Sequence, residues 1–371
     1  MLIDFARSAQ SSVGIEWELA LVDLATGELV PAAEELLDAC GGGEDRPIRK
    51  EYLQNMIELV SGVHTRVADA VADLAGNFAV VKEAAAGMGV GLIGSGTHPF
   101  SRAAAQQRFE GPRYDVVADR NQYWGHQMAI CGTHVHVGVD DRDKALPITN
   151  GLARFYPYLL ALTCASPFWE GEDSGYASQR TMLFQQLSTN GLPYPMRKWT
   201  EFEDYAEELF SSGMISTPSE IRWDVRPSPK FGTVENRTAD SVPTLAELGC
   251  VAALTQCLAE YVSRTYAHDH TYESLSPWLV RENKWRAARY GLDAVIILDS
   301  DSNERLVTED LDELLNRLEP VARSLDCADD LRAVADIPRE GASYQRQRRV
   351  AEEHEGDLRA VVDSLIGELD V

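Results

Sequence analysis

The sequence predicts an α+β fold, and two observations carry that reading. Segments with the strict period-two alternation of β-strands recur along residues 14–237, separated by helical stretches that never settle into a regular strand–helix–strand alternation. From about residue 243 onward the pattern is helical apart from one short strand. Strands of the antiparallel type, with helices between and after them, define the class.

The first strand covers 14–23. Ile15, Trp17, Leu19 and Leu21 alternate there with Glu16, Glu18, Ala20 and Val22. Side chains at i and i+2 share a face, so Glu16 and Glu18 point together, away from the large apolar residues. After a turn at Ala25-Thr26-Gly27 a return strand is expected near 28–31, then a short helix over 33–39 ending at Gly41-Gly42-Gly43. Residues 49–60 form a second strand region, with Met56, Glu58 and Val60 on one face and Ile57 and Leu59 on the other. Glu51 and Glu58 are seven apart, so a straight strand would separate them. They converge only through a bulge or bend.

Residues 66–88 are rich in Ala and Val and free of proline, which predicts a helix. A short apolar strand over 90–96 runs into a Gly-rich turn before Thr97-His98-Pro99. Its G-x-G lacks a following Walker lysine and reads as a turn rather than a phosphate loop. A helix over 112–129 leads to the third strand, 131–139, where His134 and His136 share one face against Val135, Val137 and Val139. An apolar helical stretch over 142–164 is expected to be interrupted at Pro157, and a loop follows over 165–179. After Arg180 and a second loop, 199–211 is an acidic amphipathic helix. Two further strands, 221–227 and 230–237, place Glu235 and Arg237 on one face. Helices near 243–267 and 278–290 and a strand at 294–298 precede a helical part from about 300. With no linker or repeat, 1–371 is expected to be one catalytic domain.

Lys and Arg total 34 against 59 Asp and Glu, a formal charge of −25. Such a surface repels nucleic acid and anionic lipid, so neither is an expected partner. The six cysteines form no C-x-x-C, the N-terminus lacks a basic region followed by an apolar run, and the apolar stretch at 156–169, taken as the longest, is too short to cross a bilayer. A cytoplasmic protein with reduced thiols is expected. The many helices fit a homo-oligomer, although no heptad fixes its state.

The polar faces carry the chemistry. An isolated E-x-E reads as a solvated sheet face, and one H-x-H is a weak metal signal. Glu16 and Glu18, Glu51 and Glu58, His134 and His136, and Glu235 with Arg237 all lie in or beside otherwise apolar strands. So many charges in a sheet core require cations. Carboxylates with one or two imidazoles suit Mg²⁺, with Mn²⁺ as the alternative, rather than a thiolate-bound zinc. Mg²⁺ held by few carboxylates shares its coordination with phosphates, which points to ATP chemistry. Arg222, Arg226 and Lys230 form a local cationic cluster suited to the nucleotide's phosphates. Arg237 contacts a transferred phosphoryl group or makes a plain ion pair. Arg180 is a carboxylate clamp for an acid substrate or a helix-start ion pair.

The motifs Gly14-x-Glu16-x-Glu18, Glu51 with Glu58, Gly132-Thr133-His134-Val135-His136-Val137-Gly138 and Gly232-Thr233-Val234-Glu235-Asn236-Arg237 resemble the type 2 glutamate–cysteine ligase family, the carboxylate–amine ligases related in fold to glutamine synthetase. Gly96-Thr97-His98-Pro99, Arg180-Thr181-Met182, Trp223-Asp224-Val225-Arg226-Pro227 and the stretch 286–291 extend the resemblance over about 13–300. It implies an antiparallel, funnel-shaped sheet with helices on its outer face, and an inner face binding ATP and two or three Mg²⁺ ions. It assigns Glu18, Glu51 and Glu58 to one metal, Glu16, His134 and Glu235 to a second, and Arg237 to the phosphoryl group, and leaves His136 without a settled role. The implied reaction phosphorylates a carboxylate, usually the γ-carboxylate of glutamate, before attack by an amine such as that of cysteine. A guanidino kinase, a metal-dependent amide hydrolase using His134 and His136, and a non-enzymatic metal- or nucleotide-binding module are the competing readings.

Overall fold

Strand β1 (Val13–Asp23) is the spine of a seven-stranded antiparallel sheet built with β2 (Ile48–Lys50), β3 (Met56–Val60), β4 (Val90–Ile93), β5 (Gly132–Gly138), β6 (Val225–Ser228) and β7 (Thr233–Asp240). The strand order is β6-β7-β5-β1-β3-β2, and β4 pairs with the far end of β1. The computed structural model describes residues 2–270 and 274–369; the last two residues of the expected helical C-terminal part lie outside them.

The pleat of β1 sorts its side chains as the alternation requires. Ile15, Trp17, Leu19 and Leu21 are fully buried on the outer face, where α1 (Val67–Gly87) and α2 (Leu245–Asp269) pack. Trp17 tilts against Phe78 of α1 with ring centroids 5.5 Å apart, and its Nε1–H donates to the Val242 carbonyl at 3.0 Å. Each large side chain buried this way contributes about 1.5–3 kcal/mol. The opposite, inner face is left to Glu16 and Glu18.

Several boundaries differ from the sequence reading. The return near 28–31 is a single bridge, Val22 to Leu29. The 112–129 helix divides into 112–121 and 123–126, because Gln122 adopts a left-handed φ of 46° that no α-helix continues through. The 142–164 helix breaks at Phe155, between Ala145–Arg154 and Tyr156–Thr163. Pro157 does not break it, since it sits in the first turn of the second helix, where a missing N–H costs nothing. The 221–227 strand is split at Asp224. The long apolar segment is not 156–169 but the helix at Leu245–His268, 24 residues that by length and composition could cross a membrane. Its most apolar stretch is 78% buried within the fold, packed by β5 and neighbouring helices, so it is the core helix.

The turn at Thr97-His98-Pro99 holds a pH-sensitive residue. His98 is buried, its Nε2 bonds to the Gly27 carbonyl at 2.9 Å, and its Nδ1 accepts the N–H groups of Phe100 and Ser101 at 3.2 and 2.9 Å. These partners fix the neutral tautomer with the proton on Nε2. Burial pushes the pKa down to about 4, against the pull of the Gly27 carbonyl. The unfolded chain takes up this proton near pH 6.5 and the folded chain only near 4, so the stability involved is present above 6.5 and lost as pH falls towards 4. Urea unfolding at pH 7 and pH 4.5 is expected to show His98→Gln losing about 2 kcal/mol less than the parent over that interval. Equal losses would show that His98 does not titrate this way.

Candidate active site

Strand register brings the inner-face residues together. Glu16 lies opposite His134 across β1 and β5, Glu18 opposite Glu58 across β1 and β3, and Glu235 opposite both His136 and Arg226. Glu51 arrives from the other side of a reversal: β2 pairs antiparallel with β3, so the chain turns back between Lys50 and Met56. That bend closes the seven-residue gap between Glu51 and Glu58.

Three groups of ligand atoms, each within 4.8 Å of one another, form on this face: Glu18 with Glu51 and Glu58, Glu58 with Glu16 and His134, and Glu16 with His136 and Glu235. Glu58 and Glu16 are each shared by two groups, so the three run as one row. Among the described residues, Glu16, His134 and Glu235 do not form a group of their own. Glu235 meets His136, its register partner, and His134 meets Glu58 instead.

The electrostatics of the row are uneven. His134 Nδ1 lies 3.1 Å from Glu16, and its buried Nε2 has no hydrogen-bond partner, with Glu18 3.7 Å away. His136 Nδ1 is 2.8 Å from the Thr233 hydroxyl, and its Nε2 lies 3.4 Å from Glu16. Burial raises the Glu16 pKa, but the bonds to His134 and His136 outweigh it and hold the carboxyl well below its usual range. Burial and the neighbouring Glu51 push Glu18 up to about 8, although it accepts the Gly132 N–H at 2.5 Å. Glu58 is driven well above its ordinary value by burial and by Glu16, Glu51 and Glu18. Burial and the Arg237 cation push His134 down to about 4.

Two arginines flank the row on a shared platform. Arg180 and Arg237 stack on the Phe184 ring at 5.7 and 5.9 Å. Arg237 Nη1 donates to Glu235, while its buried Nε–H has no partner. Arg226 Nε donates to the other Glu235 oxygen at 2.7 Å, and its Nη1 donates to the Ser219 and Ile221 carbonyls. Burial disfavours the Glu235 anion, yet Arg226, Arg237 and His136 hold its pKa far below normal. Arg180 is buried with its Nε–H unpartnered, while its Nη1 lies 4.0 Å from Asp240 and its Nη1 and Nη2 both donate to the Arg237 carbonyl at 3.4 Å. A Cβ at Gly132 would overlap this guanidinium, so any larger residue there would have to displace Arg180. Of the remaining expected nucleotide contacts, Arg222 is half-buried beside Asn190, and Lys230 is exposed at the turn between β6 and β7, over Phe231. Phe231 in turn meets the His136 ring edge-on. The sequence reading missed Phe184, although its i+4 spacing from Arg180 on one helix was visible.

The donors present fit Mg²⁺ or Mn²⁺. They are carboxylate oxygens and imidazole nitrogens, burial and neighbouring carboxylates raise Glu18 and Glu58 above the ordinary carboxylate range, and the His134 Nε2 is orphaned. A divalent cation held by these residues would displace protons. Glu18 ionises near pH 4.5 in the unfolded chain and near 8 in the metal-free fold, so its contribution to stability is lost as pH rises through that window unless a cation restores it. The melting-temperature difference between Mg²⁺ and EDTA samples is therefore expected to widen from pH 6 to pH 8. A constant difference would argue against Mg²⁺ on Glu18.

A family model described as glutamate–cysteine ligase family 2 (GCS2) matches residues 12–364. The chain belongs to this family. A Mycobacterium ulcerans (strain Agy99) protein provisionally named glutamate–cysteine ligase 2 is 53% identical over 369 residues, covering 100% of this chain and 94% of its own. An Arthrobacter sp. (strain FB24) relative, provisionally named glutamate–cysteine ligase 2-1, is 51% identical over 377 residues, 100% of this chain and 98% of its own. Among solved structures, the fold matches a Francisella tularensis glutamate–cysteine ligase in complex with AMP, at TM-score 0.62 and 15% identity over 98% of this chain and 93% of that one. It also matches a bifunctional glutathione synthetase from Pasteurella multocida, at TM-score 0.66 and 14% identity over 96% of this chain and 52% of that one. These likenesses establish a glutamine synthetase-like fold. This family 2 member is a ligase, of the ATP-dependent carboxylate–amine class.

Proposed function

We propose that the enzyme phosphorylates a carboxylate such as the γ-carboxylate of glutamate with ATP and joins it to the amine of an amino acid such as cysteine. The observation that carries this reading is the row of three overlapping acid groups with two under-partnered arginines beside it. Two or three Mg²⁺ ions held by Glu16, Glu18, Glu51, Glu58, His134, His136 and Glu235 would neutralise the phosphates of ATP. Arg226 and His136 keep Glu235 anionic, and Glu235 orients Arg237 towards the phosphoryl group in transfer. Arg180 offers its unused donors to a substrate carboxylate.

In the first half-reaction a carboxylate oxygen bonds to the γ-phosphorus and the bond to the β-phosphate oxygen breaks, releasing ADP. The amine then bonds to the acyl carbon, phosphate leaves, and the amine loses a proton. Six unpaired cysteines suit a reducing cytoplasm, and a core cluster running from Ile3 to Leu369 suits one catalytic unit.

The test is a screen of amino acids in pairs, following ADP and phosphate together. Equimolar ADP, phosphate and amide are expected for one pair. A stable phosphorylated substrate without phosphate release would favour a guanidino kinase. Turnover without nucleotide would favour a hydrolase.

A further inference from the structure

We propose that the buried Asp224–Lys284 ion pair is the positioning element that holds Arg237 in place; this rests on the role given to Arg237 above. The starting observation is the break in the 221–227 strand. Residues 222–223 pair with 190–191, β6 begins at Val225, and Asp224 falls between them. At that gap Asp224 turns its main chain to two neighbours: its N–H donates to the Gly191 carbonyl at 2.7 Å, and its carbonyl accepts the Arg237 N–H at 2.8 Å.

Arg237 needs such a holder because it sits in an irregularity. The β5–β7 register runs from Asn236 opposite Val135 to Ala239 opposite Thr133, one residue too many on the β7 side. A bulge of this kind re-aims a side chain. One side of it is fixed by Asn236, whose Oδ1 accepts from Thr238 and whose Nδ2 donates to Thr255 of α2. The other side is fixed by Asp224.

The carboxylate of Asp224 is tied in turn to α3 (Pro277–Tyr290), where Lys284 Nζ donates to it at 2.7 Å. Both side chains are at most 4% exposed, and the ammonium also lies over the Tyr156 ring at 5.5 Å. A buried ion pair is a poor source of stability, because desolvation of both charges offsets their attraction and an apolar pair does as well. Its directionality is what an apolar pair lacks. Lys284 fixes the Asp224 side chain, and the Asp224 carbonyl then fixes the backbone from which Arg237 reaches Glu235 and Phe184. A misplacement of about 1 Å at a reacting group costs on the order of a hundredfold in rate.

The experiment is a double-mutant cycle of Asp224→Asn and Arg237→Lys, with Lys284→Met and the conservative Lys284→Arg alongside. Phosphate release with glutamate and cysteine gives kcat and the KM for ATP. Calorimetry gives the ratio of affinities for Mg·AMP-PNP and Mg·ADP, which reads the γ-phosphate contact without turnover. Asp224→Asn and Lys284→Met are expected to lower kcat by about 10- to 100-fold, to leave the KM for ATP within about threefold, and to lower the affinity ratio. Lys284→Arg should restore most of both, and Asp224→Asn should add nothing in the Arg237→Lys background. Circular dichroism and melting temperature monitor folding; if either single variant fails to fold, the charge-neutral Asp224→Asn/Lys284→Met pair takes its place.

Loss of melting temperature with an unchanged affinity ratio and kcat would overturn the inference, as would a full Asp224→Asn effect on top of Arg237→Lys. If Arg237→Lys itself changes neither quantity, the role assigned to Arg237 fails first. If glutamate and cysteine are not turned over, the affinity ratio alone decides.

Discussion

Glu58→Gln is expected to lower ATP-dependent ligation by about a thousandfold, close to 4 kcal/mol of transition-state stabilisation, without unfolding the protein. Glu58 belongs to two of the three acid groups, so removing its charge weakens two adjoining cation positions at once. Burial first, and then the neighbouring Glu16, Glu51 and Glu18, push its carboxyl well above the ordinary range and so favour the neutral form. Glutamine mimics that neutral form closely. The melting temperature in EDTA should therefore match or exceed that of the parent. The rise on adding Mg²⁺, which follows the ratio of ion concentration to dissociation constant, should shrink sharply. Thermal melts with and without Mg²⁺, beside an ADP-release assay, check both halves. Full activity in this variant would remove the acid row from the mechanism.

The inner face was legible in the sequence where the β period alone decides orientation. Glu16 and Glu18 share a face because they are two apart, and the same holds for His134 and His136 and for Glu235 and Arg237. What spacing could not give was partnership across strands. Glu51 meets Glu58 through a reversal between β2 and β3, which a run such as 49–60, apolar enough for one strand, does not announce. His136 meets Glu235, and His134 meets Glu58, because of register, which is a property of the whole sheet. The break at Asp224 was hidden for a related reason. Trp223, Asp224 and Val225 keep a strand's alternation, and the ion pair that draws Asp224 into the core comes from Lys284, sixty positions away. The helix break at Gln122 carries no glycine or proline to mark it.

Arg237→Met is the second large effect, and Arg226→Met is its control. Both guanidinium groups hold Glu235, one on each oxygen, yet their remaining donors differ. Arg226 uses Nη1 on the Ser219 and Ile221 carbonyls and so pins a loop to the sheet. Arg237 keeps a buried Nε–H without a partner, and its charge lies over Phe184 beside Arg180. A buried donor left unsatisfied in the free protein costs stability, on the order of 1–3 kcal/mol, until an acceptor arrives. An arginine placed against a phosphoryl group in transfer contributes about 10³-fold or more to rate. Arg237→Met is thus expected to lower kcat by about 10³-fold, with little loss of melting temperature, because Arg226 and His136 still keep Glu235 anionic. Arg226→Met should do the reverse, lowering the melting temperature by several degrees while kcat falls less. Comparable kcat losses in the two variants would mean that the arginines serve Glu235 alone, and that neither one acts on the phosphoryl group.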